Sequence, residues 1–276
     1  MKASSFFHFL LRAVRLVCLL APFTTQAQET ERLTLELTDP GKPGTLHVNL
    51  VHGAIHVTGH IGKDVIVEVS GGQPAKRRPP GEPAPDGLRR LDRRPEVQAE
   101  EKGNRVTISA SHPDQDLSLS IKVPQRFSLK LNTVNHGDII VENVEGELEV
   151  SNVNGSIQLN QIAGSAVANT INGNLTATFR SVTPNTPMAF STLNGKVDVS
   201  FPANLKASVK LKTDRGDLFT DFDLAATKSA PPRAEKTKGG ATRVSLDNYT
   251  TGTINGGGPE ILLKTMHGNI YLRRNK

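Results

Sequence analysis

Glycine returns every nine residues through the middle of this chain. Gly137, Gly146, Gly155, Gly164 and Gly173 keep that spacing four times in succession. Gly53, Gly195, Gly216 and Gly268 sit in similar surroundings outside the run. Two residues before the glycine stand Val51, Val144, Val153, Ile162, Ile171, Leu193 and Met266. Two after it come Ile55, Ile139, Leu148, Ile157, Leu175, Val197, Leu218 and Ile270. The residue directly after is polar, as in Asp138, Glu147, Ser156, Asn174, Lys196, Asp217 and Asn269. The residue directly before is often Asn or His: His52, His136, Asn154, Asn172, Asn194 and His267.

An Asn-Gly pair between apolar residues suggests a type I′ hairpin. The flanking pattern argues against one. A two-residue hairpin would set Val153 opposite Ser156 and Ile171 opposite Asn174 on a single face. Counted in even steps from the glycine, the apolar residues instead share one face. Glycine and the Asn or His before it tolerate positive φ, so they mark a bend ahead of each strand. A nine-residue unit then holds a strand of about five residues and a bend of about four. Two units make one coil with two faces, in which no repeat buries its apolar side alone and stacking supplies the core.

The fold class expected is all-β: a β-solenoid of nine-residue half-coils, with a β-sandwich or open meander as the alternative. Val153, Ile157, Leu159, Ile162, Ile171 and Leu175 are expected to share its core. The steps of 22 and 21 residues from Gly173 to Gly195 to Gly216 read as full coils with a few residues inserted. Three residues before the glycines, Asn143, Asn152, Gln161, Thr170, Thr192, Thr213 and Thr265 are expected to stack into a hydrogen-bonded ladder. The copies at Asn135-His136-Gly137 and Asp214-Arg215-Gly216 lack the first apolar residue.

"VNGSIQL", "TINGNLTA", "TLNGKVDV", "RGDLFTD" and "MHGNIYL" together resemble the putative-adhesin family of secreted bacterial β-strand-repeat proteins, and the related head domains with a Gly-x-Ile-x-Val signature. The resemblance runs from about Leu46 to Leu272. It implies a right-handed β-helix-like domain at the cell envelope. It supplies no catalytic residues.

The N-terminus carries a second signal. Lys2, Arg12 and Arg15 precede the apolar run from Leu16 to Phe23, and Thr25-Gln26-Ala27 forms a small-x-small cleavage site. Residues 1–27 read as a secretory signal peptide, and residues 28–276 as a single β-repeat domain. The apolar run is too short to span a bilayer. The only cysteine, Cys18, lies inside that run without the Leu three residues upstream that lipid attachment requires. Cleavage leaves no cysteine, which excludes the disulfide-stapled secreted classes.

Two insertions break the strand pattern, at about 71–102 and 225–241, and both are expected to be mobile. The first carries Arg77, Arg78, Arg89, Arg90, Arg93 and Arg94, a possible contact for an anionic envelope surface. Formal charge is +6, of which the signal peptide holds three positives. There is no Trp and aromatics are 4 %, so the stacking platforms of single-strand nucleic-acid binders are missing.

Catalytic motifs are equally scarce. The chain has no Gly-x-Ser-x-Gly, no His-Glu-x-x-His, no phosphate loop and no calcium-binding Gly-Gly-x-Gly-x-Asp nonapeptide. His47, His52, His56 and His60 are the densest group of metal-ligand types, with His52 and His56 the candidates. His56 alternates with core residues and His52 fills a bend slot, so bend geometry and a solvated strand face account for both. No cofactor is expected. The function expected is an exported, non-enzymatic, adhesin-like binding or scaffold module, with an envelope component or protein as partner. A carbohydrate-active or ion-binding β-helix enzyme is the alternative.

Overall fold

Alternation fixes which side of each strand turns inward. In Ile157-Gln-Leu-Asn160 and Val197-Asp-Val-Ser-Phe201 every second side chain is buried and the ones between reach solvent. The structure is a computed structural model that describes residues 31–74, 97–110, 115–227, 233–236, 242–245 and 249–275. Among these residues there is no helix. The signal peptide with Cys18, and the six arginines from Arg77 to Arg94, lie outside the described residues.

The strands at the first end are β1 (Glu31–Glu36), β2 (Gly44–Asn49), β3 (Gly53–His60), β4 (Asp64–Pro74), β5 (Val97–Lys102), β6 (Arg105–Ala110) and β7 (Gln115–Pro124). The middle holds β8 (Phe127–Thr133), β9 (Ile139–Glu142), β10 (Glu145–Asn152), β11 (Ile157–Asn169), β12 (Leu175–Val182), β13 (Met188–Ser191) and β14 (Val197–Phe201). The far end holds β15 (Ala207–Arg215), β16 (Leu218–Thr220), β17 (Ala225–Thr227), β18 (Arg233–Lys236), β19 (Thr242–Ser245), β20 (Thr250–Ile254), β21 (Glu260–His267) and β22 (Ile270–Arg274).

Pairing sorts these strands into two rows, except β18 and β19, which pair with each other in a separate two-stranded sheet. The first runs β1-β4-β7-β3-β9-β11-β12-β14-β22-β16. The second runs β5-β6-β2-β8-β10-β11-β13-β21-β15-β20-β17. β11 serves both, its first half in one row and its second half in the other. Every pairing from β7 to β16 in the first row, and from β6 to β15 in the second, is parallel. Parallel neighbours need a crossover and cannot be joined by a tight hairpin. The Asn-Gly pairs are therefore bends between rows, and the fold is a solenoid-like stack rather than a sandwich or meander. Ile139 lies beside Ile157, and Ile157 beside Leu175.

The core lies between the rows. Ile55, Val57, Leu119, Ile139, Val141, Ile157, Leu159, Leu175, Val197, Ile270 and Leu272 face it from the first row. Leu46, Val48, Leu131, Val150, Phe190, Ile261 and Leu263 face it from the second. Phe179, Phe190 and Phe201 pack with ring centroids 4.8–6.3 Å apart and thicken the core toward the far end.

Several sequence expectations need correction. Val153 is half-buried and Ile171 is 43 % exposed, so neither belongs to the core. Pairing also reaches into both expected insertions. Gly71–Pro74 extend β4, Val97–Lys102 form β5 with apolar-polar alternation, and 225–241 contains β17 and β18. The step from Gly173 to Gly195 is one turn of the stack, because Leu175 pairs with Val197. The step from Gly195 to Gly216 is not: β21 and β22, with Gly268, lie between them.

Candidate ligand-binding edge

The repeat glycines are needed for close approach. A β-carbon on Gly155 would fall on the carbonyl oxygen of Gly137, and one on Gly173 would fall on that of Gly155. The same contact links Gly53, Gly137, Gly155, Gly173, Gly195, Gly268 and Gly216 in that spatial order. Gly146 and Gly164 stack on the opposite bend. Of the Asn and His residues preceding the repeat glycines, only His136 has left-handed φ, at 57°. It is an extra residue: Asn154 aligns with Asn135, nineteen positions away, where Asn172 aligns with Asn154 at eighteen.

Six of these seven glycine carbonyls also accept a side-chain hydrogen bond from the neighbouring coil. Thr133, Asn152, Thr170, Thr192, Thr265 and Thr213 donate to the carbonyls of Gly53, Gly137, Gly155, Gly173, Gly195 and Gly268 at 2.8–3.0 Å. These side chains, all buried except the partly buried Thr213, therefore bind backbone rather than forming the stacked ladder expected from their spacing. Asn143 and Gln161 lie at the opposite bend with φ of 57° and 52°. The polar residue after glycine caps the next coil in the same manner. Backbone N–H groups of Ser156, Asn174, Lys196 and Asp217 donate to Asp138, Ser156, Asn174 and Asn269 side chains.

Turning the polar residue inward turns its apolar neighbour outward. Val51 (43 % exposed), Val134 (38 %), Val153, Ile171 (43 %), Leu193 (42 %) and Met266 (42 %) form one row along the edge. Backbone bonds from the following residue of each coil to the row residue of the one before set this order. Six rungs at strand spacing extend about 24 Å.

Beside the row runs an amide ladder. Asn154 Nδ2 donates to Asn135 Oδ1 at 2.9 Å, Asn172 Nδ2 to Asn154 Oδ1 at 2.9 Å, and Asn194 Nδ2 to Asn172 Oδ1 at 2.8 Å. Asn135 Nδ2 lies 3.4 Å from His52 Nε2, and the next rung beyond Asn194 is His267, whose Nδ1 is buried and unpaired. On the other side, Asn132 donates to Asn49 and Ser151 to Asn169. From Val134 to Leu193 the ridge and both flanks hold no charged side chain. Each ladder amide spends one N–H on its neighbour and keeps another for a ligand. The edge thus offers apolar contact and a regular set of uncharged donors and acceptors.

The four clustered histidines fall on separate surfaces. His52 stacks on His136 with ring centroids 5.5 Å apart, and His136 Nδ1 is 3.6 Å from Asp116 Oδ1. His56, on the outer side of β3, is 3.3 Å from Glu142 Oε2. His60 Nε2 is 3.0 Å from the Asp64 carbonyl. His47 is on the outer side of β2, and partial burial, then the charges of Arg105 and Lys130, hold its imidazole below the ordinary value. His52 and His56 are therefore not brought together. Among the described residues, no three His, Cys, Asp or Glu side chains gather as a metal site, and no helix is long and apolar enough to cross a membrane.

The Toastrack DUF4097 family model matches residues 102–273. No curated protein matches the chain. It is similar to the crystal structure of a putative cell adhesion protein from Clostridium sporogenes at 11 % identity and a TM-score of 0.44, covering 90 % of this chain and all of that one. It is similar to that of a putative adhesin from Bacteroides fragilis at 12 % identity and a TM-score of 0.35, covering 90 % and 98 %. The family match bears out the resemblance carried by the glycine motifs. With most of the solenoid inside the matched span, the chain belongs to the Toastrack DUF4097 family.

Proposed function

We propose that the chain is an exported, non-enzymatic binding module that presents its glycine-bend edge to a partner at the cell envelope or surface. Its finer geometry, in this proposal, is a right-handed β-helix of nine-residue half-coils. The aliphatic row from Val51 to Met266, flanked by uncharged ladders, carries the reading. Contiguous exposed apolar surface rimmed by polar groups marks an interaction site. Charged residues are depleted at the centre of protein interfaces, as they are on this edge. A row of regularly spaced aliphatic rungs suits a partner with its own repeat, and adhesin-like attachment is the role that fits. Export rests on the features of residues 1–27. The arginines from Arg77 to Arg94 add a charge-driven contact with anionic surface.

Co-sedimentation with an envelope fraction tests the edge. Ile171→Asp with Leu193→Asp places two carboxylates on exposed positions, so thermal stability stays near that of the parent. At about 1 M salt, which screens the arginine contact, the parent sediments with the envelope and the double variant remains in the supernatant. Equal sedimentation of both would take the function away from this edge.

A further inference from the structure

The opposite edge is built differently. In the middle of the stack the chain turns there within Asn143–Val144 and, inside β11, at Gln161. In two other coils the same turn takes five residues, 183–187 and 202–206, and at the same end a third five-residue segment, 255–259, links β20 to β21 within the second row. Because β21 lies between β13 and β15, the segment 255–259 sits between the other two. Asn255 Nδ2 donates to the carbonyls of Ala203 (3.0 Å) and Leu205 (2.7 Å), which ties two of these segments together. They enclose a cleft of about 390 Å³.

The cleft has two chemically distinct parts. Met188, Leu205 and Ile261 make a buried apolar floor, and Val182 adds to one wall. Arg180 and Lys206 stand at the rim, both exposed. No Asp or Glu lines the cleft, and neither cation has an ion pair with a described residue. The Arg180 Nε–H donates to the Gln161 carbonyl at 2.8 Å, which anchors the guanidinium and leaves its other donors available.

We propose that this cleft binds a small amphiphilic anion, its apolar body on the Met188–Leu205–Ile261 floor and its carboxylate-like head between Arg180 and Lys206. The volume falls within the range of small-molecule sites, which join an apolar lining to a few placed polar groups. A neutral apolar molecule would leave both cations unused, a hydrophilic anion would leave the floor unused, and a cation would be repelled. Arg and Lys side chains give carboxylates charge-assisted hydrogen bonds. This site is separate from the glycine-bend edge, so each can fail alone.

Calorimetric titration of the full chain with decanoate, decanol and decylammonium tests it, with backbone amide shifts mapping the site. Decanoate saturates one site at least about tenfold more tightly than decanol, a gap that charge-assisted hydrogen bonds readily supply. Decylammonium does not bind, and shifts centre on Leu205, Gly257 and Gly258. Arg180→Gln with Lys206→Gln lowers decanoate affinity to that of decanol without changing the melting temperature. Equal affinities for decanoate and decanol in the parent would overturn the proposal. So would shifts centred on the Val51–Met266 row, absence of saturation, or undiminished decanoate binding by the double variant.

Discussion

At the scale of single residues, the stack is held by small polar side chains spent on backbone groups. Asn152 is the exception among them. It is 1 % exposed, its Nδ2 serves Gly137, and its Oδ1 is buried without a partner. Thr fills the equivalent slot at 133, 170, 192, 265 and 213. Asn152→Thr keeps the donor and removes the orphaned acceptor, so it should stabilise the protein by about 1 kcal/mol in denaturant unfolding. Thr170→Val does the reverse. It strips Gly155 of its donor and should cost about 1–3 kcal/mol. Glu101 plays a comparable part at the first end, accepting from the backbone N–H groups of Thr38 and Asn104. Those bonds, Thr38 first, hold its carboxyl below the ordinary carboxylate value. Its contribution is therefore complete above that value and is lost as pH falls through the depressed one. The melting temperatures of the parent and Glu101→Gln should converge between about pH 6 and about pH 3.

At the scale of the strand and its bend, two kinds of apolar residue look alike in sequence and differ in place. Ile157, Leu159, Ile162 and Leu175 are fully buried, whereas Ile171 is 43 % exposed. Ile157→Ala should cost about 2–5 kcal/mol and Ile171→Ala well under about 1 kcal/mol in the same unfolding assay. Equal costs would mean that the bend does not rotate the chain as described. The strands and their inward faces were legible because a period of two survives within each strand. The ridge is not legible in this way, because a period of two runs unbroken through the glycine in sequence and hides the rotation there. The bend breaks that count, sending Thr170 inward to a carbonyl and Ile171 out to solvent. Asn135 was likewise hidden, since an inserted His136 takes the slot beside the glycine. The amide ladder left a faint trace in the recurring Asn-Gly pairs, and its partners became visible only once coils were stacked. The cleft left no local signal, because its three segments are joined by strand order rather than by sequence.

At the scale of the whole molecule, chain order and stacking order disagree at both ends. The coil formed by β2 and β3 lies between those of β6–β7 and β8–β9. The coil formed by β21 and β22 lies between those of β13–β14 and β15–β16. In an ordinary solenoid each repeat touches only its neighbours in sequence, so stability is close to a sum along the stack and a last repeat can be lost cheaply. Here the last coil in sequence is interior in space. It carries Ile261, Leu263, Ile270 and Leu272, all fully buried. At about 1.5–3 kcal/mol for each such side chain, they represent about 6–12 kcal/mol of burial. That is comparable to the entire net stability of a typical domain, about 5–15 kcal/mol. Removing them would also uncover the edges of β13 and β14 and leave β15 and β16 without their parallel neighbours, and unpaired edges invite aggregation. A chain ending at Pro259 should therefore fail to fold cooperatively, giving no calorimetric transition and aggregated material. A control that keeps every strand, such as Arg274→Ala with Asn275→Ala, should melt in one transition. If the shortened chain instead melts sharply near the parent temperature, losing enthalpy only in proportion to the residues removed, the far end is an additive stack and the interior coil does not bind it together.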